Sequence, residues 1–410
     1  MNASADGPAP PGEAVAPPIA TPLGKPAGAA ALLTLRTLPY LAAWTGIRLA
    51  RLLPGPLHFG NTMIVARYAH VAEALSRDLD FCLGPVHAPK FDPIGFHFIL
   101  GMDRSAELIK ERRALYEALA RVDSAALKAQ AARDIETTLA AATRPLDVVE
   151  GYARPIAAAT ASRLFGIAPT DNQAFMDATR AIFGNSFLNP SSDSAMTHRA
   201  LVAADLLSDW FEVEIARRRG TGQFGSDMMG MLLAAGVGDD LIRRTLGGML
   251  VGAIDTTATA VAKVITVMME DRALYRRAHR DRGDLQLMWG WCNEALRRWA
   301  HGPLLLRKAA CDTELAGTQV KKGDSVILWT QAAMLDAAAF PDPDALRPDR
   351  PGAPYLHFGG GLHPCAGRGL NAWQIPMLVA ALLDRNPIKL GRMVWAGPFP
   401  ARLPIHLEKR

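Results

Sequence analysis

Cysteine is scarce in this chain, and the few cysteines present do not cluster. The 410 residues include four, Cys82, Cys292, Cys311 and Cys365, and none belongs to a C-x-x-C pair. Disulfide-stabilised secreted scaffolds and zinc fingers both depend on closely spaced cysteines. The scarcity therefore argues against both classes and predicts a reducing, cytoplasmic setting.

Long runs of one charge are also missing. Lys and Arg number 45 and Asp and Glu number 40, which gives a formal net charge of +5 distributed along the chain. Proteins that bind nucleic acids usually concentrate basic residues in clusters or along one face. We therefore expect no nucleic-acid partner, and a basic docking face for an acidic partner protein instead.

Membrane-spanning helices need about 18 to 20 consecutive apolar residues, and no such run is evident. Arg36 and Arg48 interrupt the most hydrophobic N-terminal stretch. We therefore predict no transmembrane segment. Residues 1–30 are rich in Pro and Ala, a composition that cannot pack a core, and are predicted to form a flexible tail. Residues 31–53 are predicted to form a packed first helix, with a helix on a membrane surface as the alternative.

The rest of the chain is mainly helical by pattern. Half of all residues are apolar, and a helical period favours the segments 106–121, 124–142, 152–165, 173–183, 197–219 and 239–270. Short strands are predicted at 62–67, 304–309 and 325–328. These features predict a mainly α fold with small β-sheets, forming one large domain over residues 31–410 with the long helix 239–270 at its centre.

A glycine-rich loop carries one cysteine to the start of a helical pattern. Residues 340–362 are rich in Pro and Gly. The end of this loop carries the segment Phe358-Gly-Gly-Gly-Leu-His-Pro-Cys365-Ala-Gly367. The N-terminus of a helix favours a thiolate over a thiol. There are three alternatives: a buried structural cysteine, a phosphate cradle, and a zinc site with His357 and His363. The phosphate cradle lacks its Gly-Lys-Ser/Thr sequence, and the zinc site lacks a fourth ligand. A thiolate ligand to haem iron fits the loop better.

Three motifs together resemble the cytochrome P450 family. The first is F-x-x-G-x-H-x-C-x-G, filled by Phe358, Gly361, His363, Cys365 and Gly367. The second is E-x-x-R at Glu294 and Arg297, and the third is the Pro-rich segment 340–350, which ends in Arg350. Glu294 and Arg297 share one helix face and can pair with each other and with Arg350. We expect these three residues to hold the cysteine loop against the helical core.

The resemblance implies a cytochrome P450 fold with one haem b, whose iron is bound axially by Cys365. It further implies a set of cofactor-binding residues around that ligand: Phe358, Gly361, Gly367, and the propionate partners His363, Arg307 and Arg112. The segment around Arg112 departs from the family pattern, because Leu108 stands where a histidine is usual. The propionate contact that this histidine makes in the family is then absent, or is supplied by Arg104 or Arg113.

An acid and an alcohol stand in the middle of the long predicted helix. The segment is Gly252-Ala-Ile-Asp255-Thr256-Thr. The small residues leave room above a haem face, and Thr256 can hydrogen-bond a carbonyl of the preceding turn and open the helix. In the family an acid–alcohol pair at this place delivers protons, so Asp255 and Thr256 are the predicted catalytic residues.

The resemblance therefore implies a monooxygenase that inserts one atom of O2 into a hydrophobic organic small molecule. No flavin or iron–sulfur domain is evident, so electrons from NAD(P)H are expected to arrive through a separate ferredoxin or flavodoxin. Its expected docking face comprises Lys110, Arg112, Arg113 and Arg368. The predicted substrate pocket comprises Phe96, Phe98, Phe183, Ile254 and Leu305. A peroxygenase, a haem-thiolate isomerase and a haem-binding sensor without turnover are the alternatives.

Overall fold

The computed structural model describes Gly46, residues 55–350, Gly352 and residues 354–408. The tail predicted over residues 1–30 lies outside the described residues. So does the helix predicted over 31–53, apart from Gly46. Both expectations, and the domain boundary between them, stay predictions.

Helices dominate the described part of the chain. In chain order they are α1 (Tyr68–Ser76), α2 (Gly84–Phe91), α3 (Ala106–Arg121), α4 (Ser124–Ala140), α5 (Arg154–Phe165), α6 (Asn172–Leu188), α7 (Ser194–Thr221), α8 (Met228–Ala234), α9 (Asp239–Ala253), α10 (Asp255–Met268), α11 (Arg272–Asp281), α12 (Leu285–Arg298), α13 (Thr330–Ala333) and α14 (Arg368–Asp384). Among the described residues, the helices predicted between 106 and 270 are present with ends displaced by a few residues, and the last of them is divided at Ile254. This confirms the mainly α prediction.

Short polar side chains fix where many of these helices begin. The carboxylates of Asp123, Asp171 and Asp227 accept hydrogen bonds from backbone N–H groups in the first turns of α4, α6 and α8. The Ser105 hydroxyl does the same for α3. Such caps satisfy donors that a helix cannot pair internally, and each contributes about 1 kcal/mol.

The strands are short and form four small sheets. In chain order they are β1 (Leu57–Phe59), β2 (Thr62–Val65), β3 (Phe81–Cys82), β4 (Leu146–Asp147), β5 (Leu305–Ala309), β6 (Thr313–Leu315), β7 (Thr318–Val320), β8 (Ser325–Leu328), β9 (Pro387–Leu390), β10 (Val394–Ala396), β11 (Phe399–Arg402) and β12 (Pro404–Leu407). The largest sheet has the order β1-β2-β8-β5-β3, in which β2 and β8 run parallel with Thr62 opposite Ser325. A second sheet has the order β4-β12-β9, and β6-β7 and β10-β11 are hairpins.

The long central helix is interrupted at one residue. Helix α9 ends at Ala253 and α10 begins at Asp255, while Ile254 between them has φ −98° and ψ −67°. The Thr256 hydroxyl donates to the carbonyl of Gly252, and the Thr257 hydroxyl donates to that of Ala253 at 2.9 Å. Hydroxyls that bond back to the preceding turn compete with the helix ladder. The interruption therefore lies where the acid–alcohol pair stands.

Helices α9 and α10 together are long and apolar enough to cross a membrane, by length and composition alone. Within 239–268, however, 78% of the most hydrophobic window is buried inside the protein. The core helix of a water-soluble protein passes the same test, so this is weak evidence for a membrane span. In the fold, α10 packs against α5, α12 and α14 and so forms the centre of the structure.

Candidate active site

The cysteine loop folds back on itself before α14. The N–H of Cys365 donates to the carbonyl of Phe358 at 2.8 Å, and the N–H of Arg368 donates to the carbonyl of Cys365 at 3.2 Å. Cys365 and Phe358 both line an internal cavity of about 310 Å³, which α9 and α10 bound on another side. The loop thus places one sulfur atom on the wall of a cavity in the core.

Two glycines of the motif have different roles. Gly367 lies beside the sulfur, because a Cβ added there would be 3.7 Å from Cys365 Sγ. Gly361 has a φ of +65°, and an added Cβ would be 1.8 Å from the carbonyl oxygen of Leu75. Gly361 is not among the residues that line the cavity. Gly361 permits a tight turn and close packing on α1, and its expected part in cofactor binding stays a prediction.

The protonation of Cys365 is set by two opposing effects. Burial raises the pKa of its thiol, while the backbone N–H groups of Gly367 and Arg368 oppose that shift. Burial is the larger effect, so the start of α14 does not by itself stabilise a thiolate as the sequence suggested. A thiolate at this position needs a cation beside it, and a metal ion that the sulfur coordinates supplies one.

Basic groups converge on the other end of the loop, where the carboxylate of Asp103 acts on Arg307 and His363 without a salt bridge. His363 and Arg112 line the cavity, and Arg112 donates to the carbonyl of Leu362. Buried Arg307 does not line it, but burial lowers the Arg307 pKa to about 10 and its charge acts on His363. Neither arginine forms a salt bridge within the described ranges. Such a surplus of positive charge fits the two carboxylates of a haem.

His87 joins this group, although no motif marks it in the sequence. Burial lowers its pKa to about 4, and the charges of Arg307 and His363 add to the shift. Leu108 is fully buried in the core, while Arg104 pairs with Asp78 at 2.6 Å and Arg113 with Glu117 at 2.8 Å. Arg104 and Arg113 are thus occupied elsewhere. His87, in the first turn of α2, is the further polar group that interacts with Arg307 and His363.

The acid–alcohol pair divides between two environments. Thr256 lines the cavity together with Gly252 and Ala253, whereas Asp255 does not. Asp255 is buried, and its Oδ1 pairs with Arg154 at 3.1 Å and with Arg180 at 2.7 Å.

The two arginines around Asp255 share a second carboxylate. Glu150 accepts from Arg154 at 3.1 Å and from Arg180 at 2.5 Å. Arg154 is buried, but Arg180 and Glu150 are each about a third exposed, at 35% and 33%. Asp255 Oδ2 is buried and has no partner among the described residues. The network therefore connects the centre of the long helix with solvent.

Glu294, Arg297 and Arg350 form the predicted cluster. Arg297 Nε lies 2.9 Å from Glu294 Oε1, and Arg350 Nε lies 3.0 Å from Glu294 Oε2. Tyr355 donates to Glu294 at 2.9 Å, and Arg297 also donates to the carbonyls of Met334, Pro343 and Ala345. Helix α12 thereby holds the 334–355 segment that leads to the cysteine loop.

Two of the five residues predicted for the substrate pocket line the cavity, and the pocket itself stays a prediction. Phe98 and Leu305 line the cavity, but Phe96, Phe183 and Ile254 do not. Phe96 is buried over Gly247, where an added Cβ would be 2.5 Å from its ring. Phe183 packs on the ring of Phe399, with centroids 5.0 Å apart, and Ile254 is fully buried in the core. Phe91, Phe165 and Phe187 supply further aromatic lining beyond the five predicted residues.

The zinc alternative finds no support in the part of the chain that the structure describes. No group of three or more His, Cys, Asp and Glu side chains there could hold a metal ion. His357 is buried and its Nε2 lies 2.9 Å from Asn293 Oδ1, so it supports the loop.

Known proteins resemble this chain in sequence and in fold. The Cytochrome P450 family profile matches residues 226–391. Cytochrome P450 109 of Bacillus spizizenii is 28% identical over 249 residues, and Nocardicin C N-oxygenase of Nocardia uniformis subsp. tsuyamanensis is 30% identical over 249 residues. Each match covers 59% of this chain and 60% of the relative, so the chain spans less than two thirds of these relatives.

The fold extends beyond the matched sequence. The crystal structure of CalO2 superposes with a TM-score of 0.75 at 23% identity, covering 92% of this chain and 97% of that one. In the sequence of residues 226–391 and in its helical fold, this chain is similar to cytochromes P450, which are haem-thiolate proteins.

Proposed function

We propose that this protein is a haem-thiolate monooxygenase that inserts one atom of O2 into a hydrophobic organic small molecule. The observation that carries the proposal is the position of Cys365 and Thr256 on the wall of one largely apolar cavity. The relatives support it, since Nocardicin C N-oxygenase is named for an oxygen-inserting reaction. The cavity and the basic groups around His363 fit a haem b, whose iron Cys365 would hold.

Haem iron with a thiolate ligand supplies the activation of O2 by two electrons. The chain supplies the surroundings of that chemistry. Phe358 lines the cavity beside Cys365, while His363 and Arg112, which also line it, would hold the propionates, and Arg307 stays the further predicted partner. The apolar lining excludes water from the reacting centre and accepts a hydrophobic substrate.

Thr256 and Asp255 have separate roles in proton delivery. The Thr256 hydroxyl faces the cavity and is held by the carbonyl of Gly252, so it can keep one hydrogen-bonding group beside the reacting oxygen. Asp255 carries its unpartnered Oδ2 next to an ionic network that reaches solvent. We infer that Glu150 and Asp255 relay protons from solvent toward the cavity, that Arg154 and Arg180 hold the two carboxylates in place, and that Asp255 passes a proton on when it turns away from Arg154.

A separate ferredoxin or flavodoxin is the proposed electron donor, with NAD(P)H as the indirect source. Lys110, Arg113 and Arg368 are exposed and can present positive charge to an acidic partner. Arg112, expected on the same face, is only partly exposed and lines the cavity. The proposed docking face therefore consists of the other three residues.

Turnover with different oxidants tests this function. Purified protein is supplied either with NADH and a surrogate ferredoxin system or with hydrogen peroxide alone, over a panel of hydrophobic compounds. A monooxygenase oxidises NADH faster when a substrate is present and forms a product containing one atom from ¹⁸O2. Product formation with peroxide alone favours a peroxygenase, and rearrangement without either oxidant favours an isomerase.

A further inference from the structure

An amide side chain of the cavity wall has no part in the chemistry described above. Asn371 lines the cavity from the first turn of α14, shortly after Cys365. Its backbone N–H donates to the carbonyl of Gly367 at 2.9 Å, which fixes the point where the side chain leaves the helix. Within the described ranges its Nδ2 donates to no residue, and this atom is not fully buried. The amide therefore keeps an unused donor at the cavity wall.

Helix α10 holds the oxygen end of this amide. The Thr257 hydroxyl has one proton and shares it between the carbonyl of Ala253, at 2.9 Å, and Asn371 Oδ1, at 3.1 Å. Thr257 also lines the cavity and is buried, so water does not compete for this bond. The contact links the helix that carries the acid–alcohol pair to the helix that follows Cys365.

The nitrogen end of the amide lies toward the sulfur. A Cβ added at Gly367 would be 3.6 Å from Asn371 Nδ2 and 3.7 Å from Cys365 Sγ, so both atoms border the same point. Gly367 has no side chain that could stand between them. A hydroxyl such as that of Thr257 can bond to either end of an amide, and the sulfur therefore decides the orientation. A thiolate attracts the N–H end and repels the oxygen end.

A positive dipole end near a ligand sulfur changes how readily a bound iron accepts an electron. Reduction adds one negative charge to the iron and its thiolate, and a nearby partial positive charge stabilises this added charge. Hydrogen-bond donors around the ligand sulfur are one of the means by which proteins set reduction potentials. The cavity wall is largely apolar, so the field of the amide is weakly screened there.

We propose that Asn371 directs the positive end of its amide dipole toward the thiolate of Cys365 and so raises the reduction potential of the haem. Thr257 is the positioning residue, since it acts by holding Asn371 Oδ1. This inference rests on the proposed function, because it requires the haem that Cys365 would hold. Its consequence is that the protein accepts the first electron from its separate donor more readily.

Redox titration of the substrate-free holoprotein with mediators tests the inference without turnover. Asn371→Leu removes the amide at similar volume, and Asn371→Ala removes it without adding bulk. Thr257→Val removes the hydroxyl that holds the amide. Thr266→Val is the matched control, because Thr266 of the same helix bonds back to the carbonyl of Ala262 at 2.8 Å and does not line the cavity. The reduction potential and the Fe–S stretching frequency are measured for each protein.

Both Asn371 variants should lower the equilibrium constant for reduction about tenfold, which is about 59 mV for one electron. Their Fe–S stretching frequency should rise, because the sulfur donates more strongly to the iron. Thr257→Val should cause part of this change in wild type and none in the Asn371→Leu background. Thr266→Val should change neither quantity.

Two results for the potential overturn the inference. The first is an unchanged potential in both Asn371 variants, which would leave the amide a packing role only. The second is a raised potential, which is expected if Oδ1 faced the sulfur. An equal effect of Thr257→Val with and without Asn371 likewise overturns it, since Thr257 would then not act through the amide.

The ferrous carbonyl spectrum separates this inference from the function on which it rests. A thiolate-type band in wild type and in the variants shows that the haem and its ligand are intact, so an unchanged potential then counts against Asn371 alone. A wild-type protein without that band contradicts the proposed function itself. Loss of the band in both Asn371 variants would show that the amide is needed for the structure of the site, and would overturn the inference.

Discussion

Asp255 and Thr256 are consecutive residues, yet Thr256 lines the cavity and Asp255 is paired with Arg154 and Arg180 on the other side of the helix. Consecutive residues of a helix point about 100° apart, so the first turn of α10 directs the two side chains to different surroundings. An alcohol at the reacting centre is thereby joined through one peptide unit to an acid in contact with a partly exposed network.

Replacing the alcohol should uncouple oxygen consumption from product formation. Thr256→Ala removes the cavity-facing hydroxyl, so with NADH and an electron donor the variant should still consume O2 but release mostly hydrogen peroxide. Peroxide and product are measured per NADH oxidised. Thr266→Ala is the matched control, since Thr266 also bonds back to a carbonyl, that of Ala262 at 2.8 Å, outside the cavity lining. Full coupling in Thr256→Ala would contradict the assigned role.

Replacing the acid should slow the reaction without uncoupling it. Asp255→Asn removes the carboxyl that holds the proton, so O2 consumption and product formation should fall together, by about 10² to 10⁴-fold if proton transfer becomes limiting. The solvent deuterium isotope effect should rise as well. Asp240→Asn, which changes an exposed acid of α9 (73% exposed), should leave both rates unchanged. An unchanged rate in Asp255→Asn would remove Asp255 from the proton path.

The Glu294 cluster should matter for folding and haem content. Glu294→Ala leaves Arg297 buried without its carboxylate, which costs about 3–5 kcal/mol, so the variant should be insoluble or haem-poor. Tyr355→Phe removes one hydrogen bond to the same carboxylate and should cost only about 1.5–3 kcal/mol. Haem content and denaturant unfolding measure both. If Glu294→Ala had normal haem content but lost turnover, the structural role of Glu294 would be contradicted.

Lys263 should make stability depend on pH. Burial lowers its pKa from 10.5 to about 7, so the unfolded chain binds this proton more tightly than the folded chain. The penalty is complete below about pH 7 and diminishes as the pH rises toward 10.5. Lys263→Met should therefore stabilise the fold more at about pH 6.5 than at about pH 9.5, by on the order of 3 kcal/mol.

Denaturant titrations of wild type and Lys263→Met at the two pH values measure that difference. His301, next to Lys263, has a pKa of about 4 and stays neutral throughout this range, so it does not contribute. An equal effect of the substitution at both pH values would mean that the pKa of Lys263 is the same in the folded and the unfolded chain.

Residues that stand in short motifs could be placed from the sequence, and those defined by distant contacts could not. Glu294 and Arg297 lie three residues apart on one helix, so their pairing follows from helix geometry. Asp255 meets Arg154 and Arg180 across separations of 101 and 75 residues, and no local pattern encodes those contacts.

The same dependence on distant contacts explains why Phe96, predicted for the substrate pocket, does not line the cavity. Phe96 and Phe98 are two residues apart in the loop before α3, and both pack on α9, over Gly247 and Gly248. Only Phe98 reaches the cavity. Composition indicated an aromatic wall, but which ring faces inward depends on the packing of the loop against the helix. His87 carries no sequence signal for a similar reason. Its low pKa depends on burial and on Arg307 and His363, which are distant in the sequence.

The central claim is that Cys365 holds haem iron as a thiolate, and the carbon monoxide difference spectrum of the reduced protein tests it most directly. Wild type should contain one haem b per chain and show the strongly red-shifted Soret band of a thiolate ligand. Cys365→Ala should lose that band, while Cys82→Ala, Cys292→Ala and Cys311→Ala should each retain it. A Cys365→Ala protein that keeps the thiolate spectrum would contradict the account and assign the ligand to another cysteine.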